Sequence, residues 1–243
     1  MKWAQPEVVF HLAAPVILED TPDQETTLEC GIYRATEAIL RACTARGARM
    51  VQVGTCAEYG DVEAPYQEHQ QARPTSPYGR HKLSASTCVR EAGQVVVRPF
   101  RAIGPGDRSS VVAASARAAL QGNAFEMTSG EQRREWNHAS AVAKGIVAAG
   151  AHPGAVGRII NVGGGETASV LSVVQQVFAL AKADPELIHP GVRPQRVGDV
   201  PLLAGDHHAA NSLWGPIRQP PLGHTLADAV SWVRSELGEG AQP

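Results

Sequence analysis

Three consecutive valines, Val95-Val96-Val97, narrow the possible folds of this chain more than any other stretch. A continuous β-branched run with no polar alternation is the pattern of a strand covered on both faces, the condition of strands in helix-flanked parallel sheets. Other short apolar runs have the same character, at residues 8–12, Arg49–Val53 and Ile159–Val162. Between the first two, residues 25–46 repeat Leu28, Ile32, Ala35, Ile39 and Ala42 at intervals of three or four, and Gly47 is placed to end that helix. Strand, helix and strand in alternation predict an α/β fold with a parallel sheet. Further helices are expected at residues 111–121, 139–149, Val170–Ala181 and 226–237, with short strands at 125–127 and Arg133–His138. The 243 residues suffice for one domain, or for a main domain with a small lobe.

The chemistry-bearing stretch is Ser76-Pro77-Tyr78-Gly79-Arg80-His81-Lys82. Ser76 can cap a helix whose first position tolerates Pro77. On that helix Tyr78 and Lys82 share one face, one turn apart. The phenol can then give or take a proton while the ammonium polarises it and favours the phenolate. Taken alone, such a pair more often marks a solvated helix face. Here a strand ending at Gly54-Thr55 precedes it and the valine strand follows, which is the layout of a proton-transfer site at the carboxyl edge of a parallel sheet. Thr55 also reads as an ordinary cap, and His11 reads equally as a satisfied histidine near a sheet edge.

Composition removes several classes. A formal net charge of −2, with acids and bases interspersed, gives no basic face for nucleic acid. Cys30, Cys43, Cys56 and Cys88 have no metal-ligand spacing and read as reduced core thiols of a cytoplasmic protein. His207-His208 has no third ligand nearby, so no metal site is expected. No apolar run approaches the ~18 residues of a membrane span, and no leader precedes Pro6.

Several stretches in a fixed order carry a family resemblance: residues 8–14, 55–60, 78–82, 98–106, 134–138, 160–167 and 196–201. With them the chain resembles the extended short-chain dehydrogenase/reductase family that acts on nucleotide sugars, in its NAD-dependent epimerase/dehydratase branch. It is most similar in its tail to NDP-4-keto-6-deoxyhexose reductases. The resemblance implies a Rossmann-like parallel sheet lacking its first strands. Residues 1–165 would form the truncated Rossmann-like domain, with 122–141 on the substrate side and 166–243 mainly a small C-terminal substrate lobe. The family's opening strand, glycine-rich turn and helix have no counterpart ahead of Val8. Gly163-Gly164-Gly165 is read as a tight turn, and Gly104-Pro105-Gly106 has no strand-turn-helix setting either.

The resemblance also implies roles. Thr55, Tyr78 and Lys82 would be catalytic. His11, Ala13, Ala14, Tyr78, Lys82, Arg98 and Pro99 would hold NADP or NAD. Thr55, Arg101, Arg134 and Arg196 would hold a nucleotide-sugar substrate, although plain solvation of Arg101 stands equal to a diphosphate contact. The polar loop at residues 61–77 would cover the substrate, and the helices at 25–46 and 78–93 could pair in a homodimer. Within the family, dehydratases and one type of decarboxylase need an acid at the positions of Cys56 or Ala57. That leaves C4 reduction and 4-epimerisation. The absent glycine-rich unit keeps open a third reading, a non-catalytic sugar-nucleotide-binding or partner-binding module.

Overall fold

The computed structural model describes residues 5–16, 22–195 and 198–238. In chain order the elements are β1 (Val8–His11), α1 (Pro22–Leu28), a π-helical stretch (Glu29–Arg34), α2 (Ala35–Thr44), β2 (Arg49–Val53), a 3-10 turn (Cys56–Glu58), α3 (Pro77–Glu91) and β3 (Val95–Pro99). There follow β4 (Ala102–Ile103), α4 (Val111–Leu120), β5 (Phe125–Glu126), β6 (Arg133–His138), α5 (Ala139–Ala151), β7 (Ile159–Val162), β8 (Glu166–Ser169) and α6 (Val170–Ala181). The chain closes with β9 (Ile188–His189), β10 (Leu202–Leu203), α7 (His208–Trp214) and α8 (Leu222–Glu236). The helix expected at residues 25–46 is thus three segments, and the closing helix starts four residues earlier than its apolar pattern shows. None of the described helices is long and apolar enough to cross a membrane.

The residues divide into two compact units. The first contains residues 1–100, 143–163 and 205–217. Its sheet runs β1-β2-β3-β7 with every pairing parallel, so the fold is Rossmann-like. Val95, Val96 and Val97 are completely buried, as three adjacent β-branched residues on an inner strand must be when both faces are covered. One face is closed by α2 and α3, where Leu40, Cys43 and Val89 pack on Met50 and Val96. On the other, residues of α5 approach closely: a β-carbon built on Gly150 would stand 2.6 Å from the Phe10 ring.

The second unit contains residues 101–142, 164–204 and 218–243. Here β6 pairs with β4 and β10 in parallel and with β8 antiparallel. The helices α4, α6 and α8 share one apolar cluster with Trp136, including Val112, Val174 and Leu226. Of the expected tight turn at Gly163-Gly164-Gly165, two amides are engaged within this unit: Gly164 donates to Glu135 Oε1 (2.8 Å) and Gly165 to Asn137 Oδ1 (2.8 Å).

The loop at residues 61–77 is fastened rather than loose. Tyr66 is 1% exposed, donates its hydroxyl to Gly60 O (3.1 Å) and stacks against Tyr59 and Phe100. Asn161 on β7 is the hub. Its Oδ1 accepts from the Tyr59 hydroxyl (2.7 Å), and its Nδ2 donates to Tyr66 O (2.8 Å) and Asp206 O (3.1 Å). Its main-chain N–H donates to Glu68 Oε1 (2.9 Å). A buried amide that satisfies this many partners fixes the path of the loop over β7.

Candidate active site

Three elements of the first unit build the site. At the carboxyl end of β2 the chain leaves the sheet through Gly54 and turns at Thr55, whose side chain caps the 3-10 turn by accepting from Ala57 N–H (3.2 Å). The reciprocal half of this capping box is Glu58, whose Oε1 accepts from Thr55 N–H (2.8 Å). On α3, Ser76 accepts from Gly79 N–H (3.1 Å) and Pro77 occupies the first turn, so the helix starts where its sequence signals place it. Tyr78, Lys82 and Ser86 follow at intervals of four and share a face.

Lys82 is 2% exposed, and its Nζ donates to Val53 O (2.6 Å). An ammonium carries three donors, so this bond leaves two for a ligand. Burial draws its pKa below the ordinary 10.5, and the Glu58 carboxylate acts in the opposite direction. Burial pushes the Tyr78 phenol up to about 12, with smaller upward contributions from Cys56 and Glu58. A hydrogen bond with the Thr55 side chain opposes that rise. The structure therefore brings Thr55, Tyr78 and Lys82 together, with the phenol protonated at neutral pH.

His11 on β1 is also buried, and its Nε2 lies 3.2 Å from Thr36 Oγ1. Burial first, then the charge of Lys82, lowers its pKa. Ala13 and Ala14 follow at the open end of β1, and neither is buried.

Arg98, expected along a cofactor, is instead turned into the interior. It is 2% exposed, donates from Nε to Glu58 Oε2 (2.8 Å) and lies 4.4 Å above the Tyr59 ring centroid. The physical reason is its register on an inner strand between β2 and β7, where only a paired charge is tolerated. Pro99 ends that strand half-buried. Arg101 and Arg134 belong to the second unit. Arg101 is half-buried with its guanidinium 5.4 Å from the Trp136 ring centroid. Arg134, expected to meet a phosphate, is 3% exposed and held by Asp199 and the carbonyls of Arg133 and Val200 (2.7 and 2.8 Å). Arg196 lies outside the described residues.

Residues 1–163 match the NAD dependent epimerase/dehydratase family. The chain belongs to this family. GDP-6-deoxy-D-mannose reductase of Pseudomonas aeruginosa is 28% identical over 95% of this chain and 83% of its own length. The uncharacterized UDP-glucose epimerase YtcB of Bacillus subtilis is 29% identical over 70% of this chain, and the match spans 57% of that protein. Among solved structures, MoeE5 in complex with UDP-glucose and NAD superposes with a TM-score of 0.86 at 28% identity, covering 95% of this chain and 80% of MoeE5.

Family members use NAD or NADP, and the residues present fit the nicotinamide end of such a group. Beyond its bond to Val53, Lys82 offers two N–H donors, and Tyr78 offers a hydroxyl, a donor set suited to ribose hydroxyls. One carboxylate close to this set escaped sequence reasoning. Glu58 looks like a surface acid beside Tyr59, yet it is completely buried. The available signal was the spacing Thr55-x-x-Glu58, a capping box.

Proposed function

We propose that the chain reduces an NDP-4-keto-6-deoxyhexose at C4, with NADPH or NADH as the reductant. The bound nicotinamide would supply the hydride. Tyr78 would protonate the oxygen at C4, Lys82 would hold the phenol and stabilise negative charge as it develops, and Thr55 would orient the carbonyl oxygen.

The observation that carries this reading is the state of the acids around Tyr78. Elimination of water across C5 and C6 needs a mobile acid and base next to the threonine. Cys56 and Ala57 stand there instead, and the nearest carboxylate, Glu58, is locked to Arg98, Ser86 and the Thr55 amide. A protonated phenol without such a partner suits proton transfer at the C4 oxygen, the step that reduction needs, rather than elimination of water. The likeness to GDP-6-deoxy-D-mannose reductase supports the same direction.

The test is to supply GDP- and dTDP-4-keto-6-deoxyhexoses with NADPH or NADH. Stoichiometric consumption of the reduced nucleotide with appearance of the C4 alcohol is expected. Redox-neutral interconversion of C4 epimers would replace this reading with that of a 4-epimerase, which the likeness to YtcB favours.

A further inference from the structure

Glu58 is a side chain that the reaction as written above does not use, and its surroundings are unusually demanding. It has no exposed surface. Oε1 accepts from Thr55 N–H (2.8 Å) and from the Ser86 hydroxyl (3.0 Å), while Oε2 accepts from Arg98 Nε (2.8 Å). Those partners come from the turn, from α3 and from β3. Room for the carboxylate depends on Gly54, because a β-carbon there would stand 2.3 Å from Oε1 and 3.2 Å from Val97 O. Two of the three partners lie in the elements that carry the proton-transfer residues. Thr55 is itself the residue that meets Tyr78. Ser86 is the third member of the α3 face that begins with Tyr78 and Lys82, each one turn from the next.

We propose that Glu58 is a positioning residue for the reaction. Through Thr55 and Ser86 it fixes the turn against the active face of α3, with its negative charge on the side of Lys82. This rests on the reading of Tyr78 and Lys82 as the proton-transfer pair. A helix can slide or rotate slightly on a sheet without losing its apolar contacts, but a carboxylate with short bonds to both sides removes that freedom.

The electrostatic half follows from what surrounds Lys82. Burial disfavours its charge, and His11 on β1 faces it as a second basic group. Arg98 on β3 adds a positive charge next to Glu58, while Tyr78 and Cys56 are neutral when protonated. Glu58 is the acid that offsets these unfavourable neighbours. Replacing it by glutamine removes the one nearby charge, among the described residues, that favours the Lys82 ammonium.

The experiment follows the Lys82 titration by the 13Cε shift of labelled lysine in the ligand-free protein, alongside the pH profile of kcat. Glu58→Gln is expected to lower the Lys82 midpoint by about one pH unit or more, and to move the alkaline limb of kcat the same way. Ser86→Ala keeps the carboxylate and removes one anchor. It is expected to leave the Lys82 midpoint in place and to lower kcat several-fold, to roughly a third or less, with KM for the nucleotide sugar unchanged. An unmoved Lys82 midpoint in folded Glu58→Gln overturns the charge role, and an unchanged kcat in Ser86→Ala overturns the positioning role. If Glu58→Gln does not fold, Glu58→Asp replaces it: a normal Lys82 midpoint with reduced kcat is expected, and a displaced midpoint overturns the proposal. Loss of the Lys82 response to Glu58 counts against this inference, whereas a wild-type protein that turns over no nucleotide sugar but titrates as expected counts against the proposed function alone.

Discussion

Tyr78 and Lys82 stand one helical turn apart, and burial moves their titrations in opposite directions, the phenol up to about 12 and the ammonium below 10.5. The active protonation state, neutral phenol beside ammonium, therefore ends on the alkaline side when Lys82 loses its proton, not when Tyr78 does. In the free enzyme kcat/KM for reduction is expected to fall with a midpoint below 10.5. A pH–rate profile measured with saturating reductant checks this, and a profile flat to pH 10.5 would contradict it.

Tyr78→Phe removes the proton donor and leaves the ring, so the packing of α3 is retained. Turnover is expected to drop by about 10²–10⁴-fold, while the affinity for reduced nicotinamide falls only by the loss of one hydroxyl contact, about 1 kcal/mol. Steady-state rates together with calorimetric titration separate the two effects.

Arg98→Ala strands the Glu58 carboxylate in the interior and removes the cation above Tyr59. The expected loss is about 3–5 kcal/mol of stability, the cost of an uncompensated buried charge. Urea denaturation reads it directly, and a loss below ~1 kcal/mol would show that the pair is not the interior anchor described above.

Most of the first unit's sheet was legible from residue pattern. The valine run, the apolar strands around it and the capping signals at Ser76 and Pro77 act locally, so their consequences can be read locally. The roles of Arg98 and Arg134 were not legible, because whether an arginine meets a ligand or an interior acid depends on partners distant in sequence: Glu58 lies 40 residues before Arg98, and Asp199 lies 65 after Arg134. The same reason hid the fastening of the loop at residues 61–77. Its anchor, Asn161, is an ordinary polar residue in a strand until the chain brings Tyr59, Tyr66 and Asp206 to it. Strands of two residues, such as β9 and β10, carry too few side chains to show any period.

Asn161→Leu leaves the Tyr59 hydroxyl and the carbonyls of Tyr66 and Asp206 without this partner. The Tyr66 carbonyl keeps the Asp206 N–H (2.8 Å), so the expected loss is about 1–3 kcal/mol rather than a full penalty for each group. It is also expected to expose the loop at residues 61–77 to limited proteolysis under native conditions, at sites the wild-type protein protects.

His11 is buried with its pKa below 6.5. The unfolded chain takes up this proton near pH 6.5, before the folded one does, so stability present above pH 6.5 is lost as pH falls towards the lower folded value. His11→Asn retains a partner for Thr36 and abolishes that acid-side slope. Urea midpoints measured between pH 7 and pH 5 compare the two proteins.

The steric limit at Gly54 ties three positions together in evolution. As long as an acid at position 58 points under the turn, any side chain at 54 collides with its Oε1. A lineage that loses the glycine must displace or lose the acid in the same step, and loss of the acid leaves Arg98 without its carboxylate partner. Positions 54, 58 and 98 are thus expected to change together among descendants of this sequence, and a substitution at one that leaves the others intact marks a protein whose Tyr78 and Lys82 no longer need to be held in register.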